Sequence, residues 1–176
     1  MRLFRRRPSL PAGSRPPLAA EERVVAWCRV AESPEDVVVA TNYGIWLPSA
    51  VERLGWHEIH KAAWSGRELR ITPAEVAVER DGYTVLVDGP AVSFLLLEPG
   101  ELPDEVRARV TRSVAYTSHH TLPEGSVRVV GRRVSGRNGL SWAVRYDSGT
   151  PVESGEVVEA TDELVGTARS ATETVD

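Results

Sequence analysis

A mainly β fold of the α+β class is what this sequence predicts: an antiparallel split barrel capped by one helix, with an added C-terminal β-hairpin and a short helix. Three observations lead there. Between Glu22 and Leu97, short apolar or alternating runs are separated by turn residues at regular spacing, the pattern of an antiparallel barrel or sandwich. Residues 103–120 open with Pro103, Asp104 and Glu105 and carry Val106, Val110 and Val114 at four-residue intervals, a narrow stripe suited to a helix lying against a barrel. Asn138-Gly139, set between SVRVVGRRVSGR and LSWAVRYD, is the strongest short-range signal for a two-residue hairpin turn.

The elements follow in order. In ERVVAWCRV, Val24, Ala26, Cys28 and Val30 share one face, so the run predicts a half-buried strand with Cys28 turned inward as a small hydrophobe. The turn at residues 33–36 leads into VVVAT, and Asn42-Tyr43-Gly44 reverses the chain into IWLP, where Pro48 ends the pairing. RELRI and EVAVE read as two further strands. A turn at Asp81-Gly82, the run YTVLV, a second turn at Asp88-Gly89-Pro90 and AVSFLLL complete the barrel. Leu102 is placed to staple onto Val106 at the start of the helix. Leu140, Trp142, Val144 and Tyr146 alternate, so one face of the hairpin packs; a strand near Glu156 to Glu159 and a short helix from about Asp162 follow. The chain divides into a disordered basic leader over 1–20, a barrel with its cap over 21–122, a hairpin extension with terminal helix over 123–170 and a frayed end over 171–176.

Length and composition set bounds on function. A chain of 176 residues buries a sizeable core, and 41% apolar with 26% charged residues is ordinary for a globular domain. Cys28 is the single cysteine, so no internal disulfide forms and a reducing, cytoplasmic setting is expected. No apolar run is long enough to span a bilayer. Residues 1–20 hold five arginines and no acid, whereas the other 156 residues hold 16 basic and 25 acidic ones. Prolines 8, 11, 16 and 17 interrupt any signal-peptide apolar segment. Arg2, Arg5, Arg6 and Arg7, with Phe4, are therefore candidates for weak, salt-sensitive contact with an anionic membrane, nucleic acid or partner protein. Of the 21 basic residues, 20 are Arg and only Lys61 is Lys, a bias that discounts arginine number as evidence for nucleic acid.

The stretch WHEIHKAAW, residues 56–64, concentrates histidines between tryptophans. Its order H-E-I-H is not the H-E-x-x-H of zinc proteases, and no acid or cysteine completes a ligand set around His57 and His60, so no metal or other cofactor is expected. Trp56, Ile59, His60, Ala63 and Trp64 fall at helical spacing, so the local pattern slightly favours a helix; a strand requires a bulge. TNYGIWLP, then RLGWHEIHKAAW and RELRI, resembles the small bacterial pleckstrin-homology-like (PH-like) domains, in particular an actinobacterial family with a Trp-x-x-Ile-x-x-Ala-x-Trp strand. The resemblance covers about residues 22–120 and implies two nearly orthogonal antiparallel sheets capped by a helix over 103–120. It implies a strand for residues 56–64, core or near-core places for Trp46, Trp56, Ile59 and Trp64, and a binder of lipid, peptide or protein rather than an enzyme.

Candidate site residues are few. A two-residue turn at Asn138-Gly139 sets Arg132 opposite Arg145, with Arg128 nearby, all on the face away from Trp142. Like charges facing each other destabilise a strand pair, so either Asp147 or an anionic ligand neutralises them. His119 and His120 end the predicted helix, where positive side chains suit its dipole. Nucleophile elbows, phosphate loops and paired C-x-x-C are missing. The expectation is a cytoplasmic, non-catalytic binding or adaptor protein with a protein partner and, at most, peripheral attachment to a membrane. The alternatives are an anion or nucleic-acid-backbone binder using Arg128, Arg132, Arg133, Arg137 and Arg145, and a hydrolase-type enzyme using surface histidines.

Overall fold

Two apolar cores joined by one long strand organise the chain, seen in a computed structural model that describes residues 8–173. Strands make up 43% and helices 22%, which places the protein among mainly β folds. Strands β1 (Val24–Arg29), β2 (Val37–Thr41), β3 (Gly44–Trp46) and β4 (Leu54–Gly55) form a four-stranded antiparallel sheet. A 3-10 turn over Trp56–Glu58 leads into β5 (Ile59–Ser65), which pairs with β6 (Glu68–Arg80). Strand β7 (Tyr83–Asp88) returns along the second half of β6, and β8 (Val92–Leu95) along its first half. A bridge between Val30 and Leu96 ties β1 to the chain just beyond β8, so the sheets curl around a shared interior.

That interior is the first core. Ala26 and Cys28 of β1 and Val30 just after it fill it, as the alternation predicts, and Ile45, Ile59, Leu69 and Ile71 of other strands fill it together with Trp56 of the 3-10 turn. Helix α1 (Leu102–Ser113) closes it with Leu102 and Val106, both fully buried. Each such aliphatic side chain contributes about 1.5–3 kcal/mol of hydrophobic stabilisation. Trp46 is buried and Trp64 packs partly buried against this core. WHEIHKAAW divides between the two local forms: Trp56 to Glu58 make the 3-10 turn, and the strand starts at Ile59 with an irregularity before Lys61.

The second core lies under the other end of the sheet. Strands β9 (Val114–Thr121), β10 (Ser126–Arg133) and β11 (Leu140–Tyr146) are antiparallel neighbours, and β11 joins β7 through a parallel pairing at Val144 and Val85. Helix α2 (Gly155–Glu173) lays Val157, Thr161, Val165 and Ala168 on the face bearing Val127, Val129, Trp142 and Val144. Arg80 pins this layer: it donates to the hydroxyls of Tyr83 (3.1 Å) and Tyr146 (2.7 Å) and to Val152 O (2.9 Å). Tyr83 in turn donates to Asp162 (2.6 Å) on α2.

Four sequence expectations change. The helix over 103–120 stops at Ser113, and Val114–Thr121 is a strand, because Val, Tyr and Thr alternating with small or polar residues fit a pleat and β10 supplies the pairing. His119 and His120 therefore do not cap a helix; they lie on opposite faces of β9. The hairpin loop spans residues 134–139, not 138–139 alone: Arg133 pairs with Leu140, Arg137 N–H closes a turn on Val134 O (3.1 Å), and Gly136 and Gly139 both take φ of +79°. Arg132 consequently faces Ser141, and Arg128 is the residue opposite Arg145. RELRI and EVAVE are one strand, with Pro73, which has no N–H to donate, standing where pairing to β5 ends. Residues 156–159 are not a strand; one 19-residue helix replaces the strand and short helix, its buried stripe running at helical spacing from Val157 to Ala168.

Candidate anion-binding cleft

The expected arginine cluster is split between the two faces of the second sheet. Residues directly opposite in an antiparallel pair share a face, so Arg128, Arg145 and His119 lie together on the face away from Trp142, with Arg132 nearby. Three of these side chains already have protein partners. Arg145 Nη2 donates to Asp88 (2.8 Å), which also contacts His60 Nδ1 (2.8 Å). Arg132 Nη1 donates to Ile59 O (3.2 Å) and Ser113 Oγ (3.1 Å); burial, then the neighbouring charge of Arg145, lowers its pKa. Asp147, the expected neutraliser, instead contacts His119 Nε2 (2.7 Å) and accepts from Ser126 Oγ, contacts that hold its carboxyl below the usual range. Arg132 thereby ties β10 to the start of β5 and the end of α1, and Arg145 reaches β5 through Asp88.

Arg133 and Arg137 point elsewhere. With Arg109 and Arg112 from the last turns of α1 and Arg169 near the end of α2, they line an open cleft of about 1040 Å³ at the junction of the two cores. Trp56, Tyr116, Leu140 and Trp142 line its apolar part. Tyr116 and Trp142 form a tilted ring pair, 5.4 Å between centroids at 57°. Glu173 is the only acidic lining residue among those described.

Electrostatics favour an anion there even after the helices are counted. Both α1 and α2 bring their C-terminal ends to the cleft, each worth roughly half a negative charge. Five guanidiniums against Glu173, the Glu105 that pairs with Arg109, and two helix ends leave an excess of about two positive charges. Arg133 Nη1 donates to Arg112 O (3.0 Å), answering the end of α1 directly, and Arg109 pairs with Glu105 (3.1 Å). Arg112, Arg137 and Arg169 are exposed and have no acidic partner among the described residues. The rest of the chain beyond the leader is acidic, so this is a local inversion of sign.

Sequence reasoning named Arg133 and Arg137 but missed Arg109, Arg112 and Arg169. Two of them were readable, since Arg109 and Arg112 lie three apart on a helix beside the Val106–Val110 stripe. Arg169 was hidden by the misread terminal helix.

The imidazoles do not converge. His57 folds over Gly55; burial, reinforced by Arg132, Arg137 and Arg53, lowers its pKa despite Glu58. His60 has a nearly inaccessible side chain, and its Nε2 has no hydrogen-bond partner among the described residues. His120 Nε2 lies 2.7 Å from Ser118 Oγ. Around Asp147 the carboxylate sits between Ser126 and His119, so the serine does not pass its proton to the imidazole. Among the described residues no group of three or more His, Cys, Asp or Glu is placed to hold a metal ion. No helix among them is long and apolar enough to cross a membrane.

A second groove of about 940 Å³ runs between β1 and residues 97–102 and is partly lined by Pro8, Ser9, Leu10 and Arg15 of the leader. Trp27 Nε1 donates to Pro8 O (3.2 Å) there. The candidate contacts Arg2, Phe4, Arg5, Arg6 and Arg7 lie outside the described residues. No family model, characterised protein or solved structure matches the chain.

Proposed function

We propose that this protein is a non-catalytic, cytoplasmic binding module whose ligand is a multivalent anion held in the arginine-lined cleft. The observation that carries the proposal is the set of three exposed arginines, Arg112, Arg137 and Arg169, that line one cleft from three separate elements and have no ion-pair partner among the described residues of an otherwise acidic body, the Arg169 guanidinium lying over Gly82. The first core, with its curled strands and α1 across the opening, supports placing residues 22–113 among PH-like folds alongside the TNYGIWLP and WHEIHKAAW resemblance.

The test is binding of a fluorescently labelled inorganic polyphosphate to the full chain. Affinity is expected to fall steeply with added salt and to vanish when Arg112, Arg137 and Arg169 are changed together to Glu. Arg128→Glu with Arg145→Glu, on the other face, should leave it intact. Salt-independent binding, or equal loss from both sets, overturns the assignment.

One observation favours a protein partner as a second reading. Strand β9 is eight residues long and contains no Lys, Arg, Asp or Glu; among the described residues it ends the sheet and pairs only with β10, so it can accept an added strand. Capture of a partner that survives high salt and is lost on Thr117→Pro supports it.

A further inference from the structure

Resting on the anion-binding reading above, we infer that the cleft takes single-stranded nucleic acid, its phosphodiesters on the guanidinium rim and its bases against the Tyr116 and Leu140 floor. The charge is arranged for a chain of phosphates rather than for one. Arg112, Arg137 and Arg169 come from α1, the hairpin loop and α2, and all three are exposed. A compact phosphate is typically met by a helix N-terminus or converging backbone N–H groups. Here both helices present their C-termini, which repel an anion seated between them and leave the rim as the favourable place.

The floor selects among polyanions. Tyr116 and Leu140 are half-buried and Trp142 backs them, so the base of the cleft is an apolar, aromatic surface beneath a charged rim. Polyphosphate covers the rim and leaves this surface wet. A nucleotide strand covers both, since every base has a face that stacks on an aromatic ring while its phosphate stays outside. Duplex nucleic acid turns its bases inward and offers the recess only backbone.

The experiment uses fluorescence anisotropy of the full chain with a labelled 12-mer of oligo-dT or oligo-U, an abasic 12-mer of equal charge, a duplex, thymidine monophosphate and polyphosphate. Strand affinity should fall with salt at a log–log slope of about −2, from three guanidiniums at roughly 0.7 each. Arg137→Ala should reduce that slope by about 0.7. The abasic strand should bind about tenfold more weakly. Tyr116→Leu should erase the advantage of the normal strand while Tyr116→Phe preserves it. Equal binding of strand, abasic strand and polyphosphate overturns the strand assignment and leaves the anion reading standing. Monophosphate or duplex binding as tight as the 12-mer also overturns it. Binding of no polyanion at low salt sinks both.

Discussion

Glu22 is the best single position at which to test how the first sheet is held. Its side chain is inaccessible to solvent, and its carboxylate accepts from Ala19 N (3.0 Å), Thr41 Oγ1 (2.7 Å), Trp46 Nε1 (3.0 Å) and Arg53 Nη1 (2.6 Å). Glu22→Ala removes one partner of a buried ion pair, a change that typically costs about 3–5 kcal/mol. Arg53 is 29% exposed and regains water, which sets its share near the lower bound. Thr41 Oγ1 keeps Gly44 O as an acceptor at 3.2 Å, but the Trp46 indole N–H is left without one, adding about 1 kcal/mol. The sum is about 4 kcal/mol, or a fall in Tm of about 8–16 °C for a chain of this size. Glu22→Gln, which retains an acceptor oxygen, should lose about half as much. Burial raises the Glu22 pKa, but the hydrogen bonds from Ala19, Thr41 and Trp46 and the charge of Arg53 outweigh it, and the net shift is downward. The stabilisation is therefore present above about pH 4.5 and lost as pH falls through the lower folded-state value. Circular-dichroism melts at pH 7 and pH 3 read both effects. A Glu22→Ala loss below about 1 kcal/mol at pH 7, or a difference from wild type that persists undiminished well below pH 3, refutes the clamp.

Further expectations are equally direct. Burial, then Arg145 and Arg132, lowers the His60 pKa against the opposing effect of Asp88, so His60 stabilises fully above its unfolded value near 6.5 and loses that contribution as pH falls below it. Urea midpoints between pH 7.5 and 5.5 should flatten in His60→Gln; an unchanged slope contradicts the burial. Tyr83, its hydroxyl pushed to a pKa of about 12 chiefly by burial, stays protonated and bridges Arg80 to Asp162. Tyr83→Phe should cost about 1–2 kcal/mol and be non-additive with Tyr146→Phe in a double-mutant cycle, since both hydroxyls accept from Arg80. Gly125→Ala should destabilise by about 1–3 kcal/mol in urea melts, because Gly125 has φ of +83° and a methyl there runs into Thr150.

Local pattern carried the first half of the fold well and the second half poorly, for identifiable reasons. Alternation in β1 and the turn residues before β3 act over a few neighbours, so Ala26, Cys28 and Val30 were readable as one buried face. The division at Ser113 was not readable, because Val114 continues the four-residue valine spacing by coincidence and only pairing with β10 makes it a strand. Asn138-Gly139 signalled a turn correctly, but Gly136, two residues before Asn138, lengthens the loop and moves every arginine pairing. Glu22 carried no local sign of its role, since its side-chain partners Thr41, Trp46 and Arg53 lie 19 to 31 positions away. The cleft was legible only in part: Arg133 and Arg137 stood in the hairpin, while their companions needed the helix ends to be placed first.

Strand β6 runs from one interior to the other, pairing with β5 through Glu68–Pro73, with β8 through Glu68–Ile71 and with β7 through Ala74–Arg80. A cut after Leu122 would strip β7 of its β11 neighbour and bare Tyr83 and Val85, so the front half made alone should clump rather than fold cleanly. Intact, the molecule should melt in a single calorimetric step, because neither half can let go of that shared spine while the other holds it.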